Sequence, residues 1–475
     1  MMTKTKWLKA IISIVISIGF YFLPELLGVS LTPVEKRVVS IFMLAALFWI
    51  LEPFPIWTTS MMVIVLMLLT VSNNALSFLK TDSSGELFKN LIPYKSIMAT
   101  FADPIIMLFL GGFFLAAAST KYRLDMNLAK VLLKPFGKNP KYILLGLMMV
   151  TAVFSMFMSN TATAAMMLAI LAPVLALFDA DDKGRAAFAL AIPIAANVGG
   201  MGTPIGTPPN AIALKALNSM DLSVSFGKWM AFGVPYVIVL IIISWFLLLK
   251  LFPITKQSME LKVGDKFLKT PKAIIVYITF ALTVILWVLG DGVHGMNSNV
   301  IAMIPMAVFA LAQIITKDDL NKMSWDVLWL VAGGFALGLG LQATGLAQNL
   351  IGSIAFDNFP AMGLMIGAGV LCLLMANFMS HTATASLLIP IFAAVASSLG
   401  GSLDGIGGVT GLIVSVAFAS SLGMSLPIST PPNALAHATG LVDTKGMAKT
   451  GIIIGILGMV LTYIMMYFLA AIHVF

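Results

Sequence analysis

The sequence predicts an all-α polytopic membrane protein, with about eleven transmembrane helices and two re-entrant helical hairpins arranged as inverted repeats. Three observations predict it. Of 475 residues, 60% are hydrophobic and only 10% charged, and the mean hydropathy is +1.01; a water-soluble domain carries about 25% charged residues because its surface faces water. Apolar stretches recur at the length of roughly 20 residues that a bilayer core requires, as in Trp7–Leu27, Trp229–Leu251, Ala273–Leu289 and Gly451–Ile472. Finally, interrupted motifs occur twice, once in each half of the chain.

Residues 1–29 read as an extra N-terminal helix. Its apolar stretch is long and no small-residue cleavage site follows, so it is expected to be a span and not a signal peptide. Further spans centre near 44, 65, 110, 193, 240, 281, 307, 335, 416 and 461. Segments 143–178 and 362–398 fit neither one helix nor two comfortable crossings, and small polar residues interrupt each at its centre. Each is predicted to be a hairpin that enters and leaves on one side. Segments 185–218 and 408–440 are predicted helices broken by paired prolines, which remove N–H donors but suit the first turn of a new helix.

These features come in pairs. Met158-Ser159-Asn160-Thr161-Ala162-Thr163-Ala164 matches Met379-Ser380-His381-Thr382-Ala383-Thr384-Ala385 at an offset of 221 residues. Gly206-Thr207-Pro208-Pro209-Asn210-Ala211 matches Ser429-Thr430-Pro431-Pro432-Asn433-Ala434 at 223, and Gly111-Gly112-Phe113 matches Gly333-Gly334-Phe335 at 222. The chain therefore divides into repeats over 30–251 and 273–475, joined by a hydrophilic cytoplasmic linker at 252–272. An odd number of crossings separates the two Gly-Gly helices, so the repeats are expected to be inverted, hairpin 143–178 opening from the cytoplasm and hairpin 362–398 from outside. Inverted repeats with broken helices and a midplane site characterise secondary transporters.

The net charge of +8 orients the chain and does not point to nucleic acid. With a cytoplasmic N-terminus (Lys4, Lys6, Lys9), the basic loops 121–142 and 250–272 fall inside, with Lys183, Arg185, Lys317, Lys322, Lys445 and Lys449. Outer loops keep only Lys36, Arg37, Lys80, Lys89, Lys95 and Lys228; Lys215 is left unassigned. Cys372 is the only cysteine, so no disulfide or thiolate metal site forms within one chain.

Backbone that leaves a helix at membrane depth persists only where it is buried or lines a watery cavity. Ser159-Asn160-Thr161 and Ser380-His381-Thr382 sit at hairpin tips, and Ser, Thr and Asn are preferred N-caps. With the two Pro-Pro breaks they bring four helix N-termini to one region, where free N–H donors attract anions. Each N-terminus contributes about 0.3–1 kcal/mol, up to ~2 when partly buried. Helix ends also present carbonyls, which can hold a small cation such as sodium. No Asp or Glu lies in either hairpin or either break, and a site without carboxylates suits an anion. A single Ser/Thr/Gly motif would read as close packing, as Gly333, Gly334, Gly338 and Gly340 do; two symmetric pairs with helix breakers do not. Gly199-Gly200-Met201-Gly202 lacks the preceding strand of a phosphate loop. Asp103, Asp326 and Glu52 lie near span ends, where a solvated or capping role is expected.

At these residues the chain resembles the divalent anion/sodium symporter family, which includes bacterial di- and tricarboxylate transporters, citrate/succinate antiporters and plastid oxoglutarate/malate translocators. The family carries Ser-Asn-Thr at each tip and Thr/Ser-Pro-Pro-Asn-Ala in each broken helix, and the match covers essentially everything after the first helix. The resemblance implies that substrate carboxylates bind Asn160, Thr161, Thr207, Pro208, Ser380, His381, Thr382, Thr430 and Pro431. It implies a sodium site at Ser155, Ser159, Asn160 and Gly206, and would map a second near Ala376, Met379, His381 and Ser429. It also implies a homodimer in which a scaffold carries a mobile transport domain that works as an elevator. His381 stands where the family has Asn, so the second ion set departs from the pattern.

The expected function is a carrier of C4–C6 di- or tricarboxylates in the inner or plasma membrane, exchanging without sodium or any other cofactor; sodium-coupled uptake is the alternative. His381 suits an exchanger. Neutral, its imidazole can donate one hydrogen bond to a carboxylate; protonated, it supplies the charge that sodium would bring. An intramembrane hydrolase would need one asymmetric nucleophile–base pair, and a channel a continuous polar lining.

Overall fold

The computed structural model describes residues 3–26, 29–82, 84–175, 178–179, 182–259, 267–346, 349 and 360–474. Residues 260–266 of the expected linker, and residues 347–348 and 350–359, lie outside the described residues. Regular structure among the described residues is helical, with only two isolated bridges, Ser72 with Ile92 and Thr81 with Leu87. Eight helices are long and apolar enough to cross a membrane, and shorter apolar helices lie between them.

The first four principal helices are α1 (Lys4–Leu26), α2 (Pro33–Leu51), α3 (Ile56–Thr70) and α4 (Pro104–Lys121). A capping box of Thr32 and Glu35 starts α2, and the Asp103 carboxylate caps α4 at Ile105 N–H. The first hairpin is α5 (Pro140–Ser155) and α6 (Asn160–Leu175); the first broken helix is α7 (Gly184–Gly200) and α8 (Pro208–Asn218). Then follow α9 (Phe226–Leu251), α10 (Pro271–Leu289), α11 (Met303–Leu311) and α12 (Trp325–Ala343). The second hairpin is α13 (Ala361–Phe378) and α14 (His381–Leu399); α15 (Gly408–Ser421) and α16 (Pro431–Ala438) form the second broken helix, and α17 (Thr444–Ala471) closes the chain. Val15, Ile18, Phe246, Ile278, Ile285, Ile464 and Phe468 stand exposed on the long helices. Apolar bands of that extent are covered by lipid, not water.

Hairpins and broken helices pack at backbone distance. A Cβ on Gly199 of α7 would lie 2.5 Å from the Ala152 backbone of α5, and one on Gly423, just after α15, would lie 2.5 Å from Ala376 of α13. Only glycine permits either approach. At the open end of the first hairpin, Lys138 O accepts from Met259 N–H (2.9 Å) and Thr255 donates to Asp182 (2.6 Å). Phe252 of the same segment packs beside Gly446 at the start of α17. The second hairpin instead runs into a 3₁₀ turn, Gly400–Ile406, beside Gly411 and Met466 near the end of α17. The hairpins thus open towards opposite ends of α17. At the end of α4, Lys121 pairs with Asp319 at 2.6 Å; burial raises the Asp319 carboxyl, but hydrogen bonds from Lys121 and Thr316 carry it down to about 2.

The α5–α7 contact yields a stability prediction. Gly199→Ala should destabilise detergent-solubilised protein by about 1–3 kcal/mol through overpacking, read as a lowered thermal midpoint. Gly19→Ala on α1, where nothing lies within 4 Å, should not lower it. Equal midpoints for the two variants would contradict the close contact.

Candidate functional site

A cavity of about 380 Å³ lies where the two tips meet the two helix breaks. Its lining includes Asn160 and Thr161 from the first tip, Ser380, His381 and Thr382 from the second, and Thr207, Pro208, Thr430 and Pro431 from the breaks. Ser159, Gly206 and Ser429 line it too, whereas Ser155, Ala376 and Met379 are buried behind it. Phe109 and Phe113 of α4, Ile56 of α3, and Val327 and Leu330 of α12 form the apolar wall.

Each tip is closed by its serine: Ser159 Oγ accepts from Ala162 N–H (3.2 Å) and Ser380 Oγ from Ala383 N–H (3.1 Å). The breaks are tied by the asparagine that follows the prolines. Asn210 Nδ2 donates to Gly200 O (3.1 Å) and Thr203 O (2.8 Å), and Asn433 Nδ2 donates to Met424 O (2.7 Å) and Leu426 O (3.0 Å). Carbonyls only accept, so these contacts orient both amides. The starts of α6, α8, α14 and α16 thereby face the cavity with their donor ends.

At the first tip, one terminal atom of the Asn160 amide stands 2.7 Å from Ser155 Oγ, 3.1 Å from Gly206 O and 3.2 Å from Ala196 O. Surrounded by oxygens, that atom is the amide nitrogen when nothing else is bound. With the amide turned over, its oxygen would join Ser155 Oγ, Gly206 O and Ala196 O in one cluster, and oxygen donors of this kind suit a small hard cation. The second tip is built differently. His381 Nε2 donates to Gly423 O at 2.7 Å, which corrects one expectation. The proton of the neutral ring is already committed to a carbonyl, so neutral His381 offers a ligand only the acceptor Nδ1; a donor towards a carboxylate requires the protonated ring.

Two cavity residues, Asn197 and Asp326, are not among those the sequence assigns to the site. Asn197, fully buried on α7, lines the cavity and bridges to Thr430 and Asn433. Its signal was there, because an amide within an apolar membrane helix is costly and usually has a task. Asp326 is exposed at the start of α12, as a solvated span end should be, but it also lines the cavity, so the expectation of a carboxylate-free site is corrected. A second cavity of about 330 Å³ lies towards the other end of α8. There Lys215, unassigned from sequence, pairs with the α4 cap Asp103 at 2.6 Å.

The family model described as the sodium:sulfate symporter transmembrane region matches residues 4–472. An uncharacterized transporter of Haemophilus influenzae is 33% identical over 401 residues, covering 79% of this chain and 83% of that protein. The sodium-dependent dicarboxylate transporter SdcS of Staphylococcus saprophyticus is 30% identical over 471 residues, covering 91% and 85%. The crystal structure of the YdaH transporter of Alcanivorax borkumensis shares the fold, with a TM-score of 0.59 at 14% identity over 88% of this chain and 98% of that one.

The tied breaks generate a second prediction. Asn210→Ala takes the amide from Gly200 O and Asn433→Ala takes it from Met424 O, whereas Thr203 O and Leu426 O keep Gly206 N–H and Ser429 N–H. One stranded carbonyl costs about 1–3 kcal/mol, and each variant should lower the thermal midpoint accordingly. An unchanged midpoint for either variant would show that the amide is not what holds its break.

Proposed function

Because the chain belongs to the family described as the sodium:sulfate symporter transmembrane region, we propose that it is a secondary transporter of C4–C6 di- or tricarboxylates such as succinate, malate, fumarate, oxoglutarate or citrate. It acts in the plasma (inner) membrane with a cytoplasmic N-terminus, as a homodimer whose transport domain moves as an elevator. Asn160, Thr161, Thr207, Pro208, Ser380, His381, Thr382, Thr430 and Pro431 bind the carboxylates. The observation that carries this reading is the convergence of four helix N-termini and several Ser/Thr hydroxyls on one cavity whose described lining has a single, exposed carboxylate. A dicarboxylate presents acceptor oxygens at both ends, one for each tip-and-break pair.

The mode we assign is exchange. Isolated buried ions cost several kcal/mol, more than four helix N-termini return at about 0.3–1 kcal/mol each. In exchange one dianion leaves as another enters, and a second proton on His381 adds both charge and a donor. The second reading is sodium-coupled uptake, favoured by the oxygen cluster at Ser155, Asn160, Ala196 and Gly206 and by the name of the staphylococcal relative.

Labelled succinate uptake into proteoliposomes tests both. Exchange predicts uptake that needs internal dicarboxylate and ignores sodium; uptake into empty, sodium-driven liposomes would establish symport, and no uptake of any of these acids would overturn the carboxylate reading. Asn160→Ala and Thr382→Ala should each lose most transport while remaining folded. Near-normal rates in either would remove the shared site.

A further inference from the structure

The two breaks share a motif but not a hydrogen-bond pattern, and the difference arises from a residue outside both motifs. Asn433 turns its nitrogen to Met424 O and Leu426 O, so its oxygen faces Asn197 at 3.3 Å. Asn197 must then present Nδ2, and the same NH2 group reaches Thr430 Oγ1 at 3.2 Å. The cost is visible: Asn197 Oδ1 is buried with no partner among the described residues, so its neighbours impose the orientation. Thr430 Oγ1 also accepts from Asn433 N–H at 3.2 Å. A hydroxyl has two lone pairs and one proton. With both lone pairs filled, Thr430 has only its proton to offer, and Thr430 lines the cavity.

The first half lacks this arrangement. Thr207 makes no side-chain cap bond, and Asn210 Oδ1 has no partner among the described residues. At the 223-residue offset the counterpart of Asn197 is Ser420, whose hydroxyl donates to Val416 O of its own helix.

Resting on the transport reading above for its ligand, we propose that Asn197 is a positioning residue that makes the Thr430 hydroxyl an obligate donor to an oxyanion oxygen of the substrate. The second half-site therefore takes a terminus that only accepts, an ionised carboxylate, while the uncapped Thr207 hydroxyl in the first half can serve either as donor or as acceptor.

A double-mutant cycle on the full-length protein tests the assignment, using Asn197→Ala, Thr430→Val and the pair. Binding of succinate, sulfate and inorganic phosphate is measured by calorimetry, and uptake gives KM and the maximal rate. Losing one oriented donor corresponds to a rise of about three- to tenfold in Kd or KM, expected in each single variant with the maximal rate little changed and no further rise in the pair. Thr430→Ser, which keeps the hydroxyl, should retain a near wild-type KM. Should Asn197→Ala not fold, the apolar and near-isosteric Asn197→Leu replaces it in the cycle. An unchanged KM in the Asn197 variant, or effects that multiply in the pair, overturns the assignment alone. If succinate fails to bind while sulfate or phosphate binds, the dicarboxylate reading falls and the cycle is scored on the bound anion. Binding of none of the three overturns both.

Discussion

A bilayer interior has no water with which to satisfy a broken helix, and the site is organised around that constraint. Four interruptions converge on it, each exposing N–H and C=O groups that would cost about 2–7 kcal/mol apiece if left in hydrocarbon. The remedy is local and made of short side chains. Ser159 and Ser380 accept from the first turn of the helix they precede. Asn210 and Asn433 reach back across their breaks to two carbonyls each. The tip and break residues Thr161, Thr207, Thr382 and Thr430 line the cavity, while the serines and asparagines that hold the breaks together are used internally.

Backbone contact sets the dimensions of the site. The missing side chain at Gly199 lets α7 approach α5 at Ala152. Nearly one helical turn away, Ser155 Oγ donates to Ala196 O at 2.7 Å, and the Asn160 amide reaches that carbonyl and Gly206 O. Gly423 and Ala376 make the corresponding approach in the second half, and the Gly423 carbonyl is the one that takes the His381 proton. The close packing and the polar tips are thus one feature: separate the helices by a methyl group, and the tip loses its oxygen neighbours.

The halves then diverge in chemistry. One tip surrounds an amide with oxygens, and the other seats an imidazole on a carbonyl. A dianion in a low-dielectric cavity needs more compensation than helix dipoles provide, since four contributions of about 0.3–1 kcal/mol fall short of desolvation costs of several kcal/mol per ion. Compensation has to come from a bound cation, a protonated ring or a dianion moving the other way. The two tips differ in that one places an amide among oxygens and the other holds a titratable ring against a carbonyl, so the proposed coupling mode turns on which tip supplies the compensation.

Composition and the lengths of apolar runs make the helical membrane class legible, and the Pro-Pro and Ser-x-Thr interruptions reveal where the helices break. These signals lie within a few residues of one another, and backbone rules convert them directly into local structure. Asn160, Thr207, His381 and Thr430 were legible as a set for the same reason, each lying on a motif that breaks a helix. Asn197 was not, because its partner Asn433 is 236 residues away and neither periodicity nor spacing records a contact across that distance. Asp326 is exposed at a span end as its sequence position suggests, but its place on the cavity is not legible there, because that depends on where α12 packs against the tips. The sequence by itself determined that the backbone would open in four places and with which polar groups. Only the tertiary structure decided which of those groups are consumed internally and which remain for a ligand, because a hydrogen bond is allotted by proximity in space.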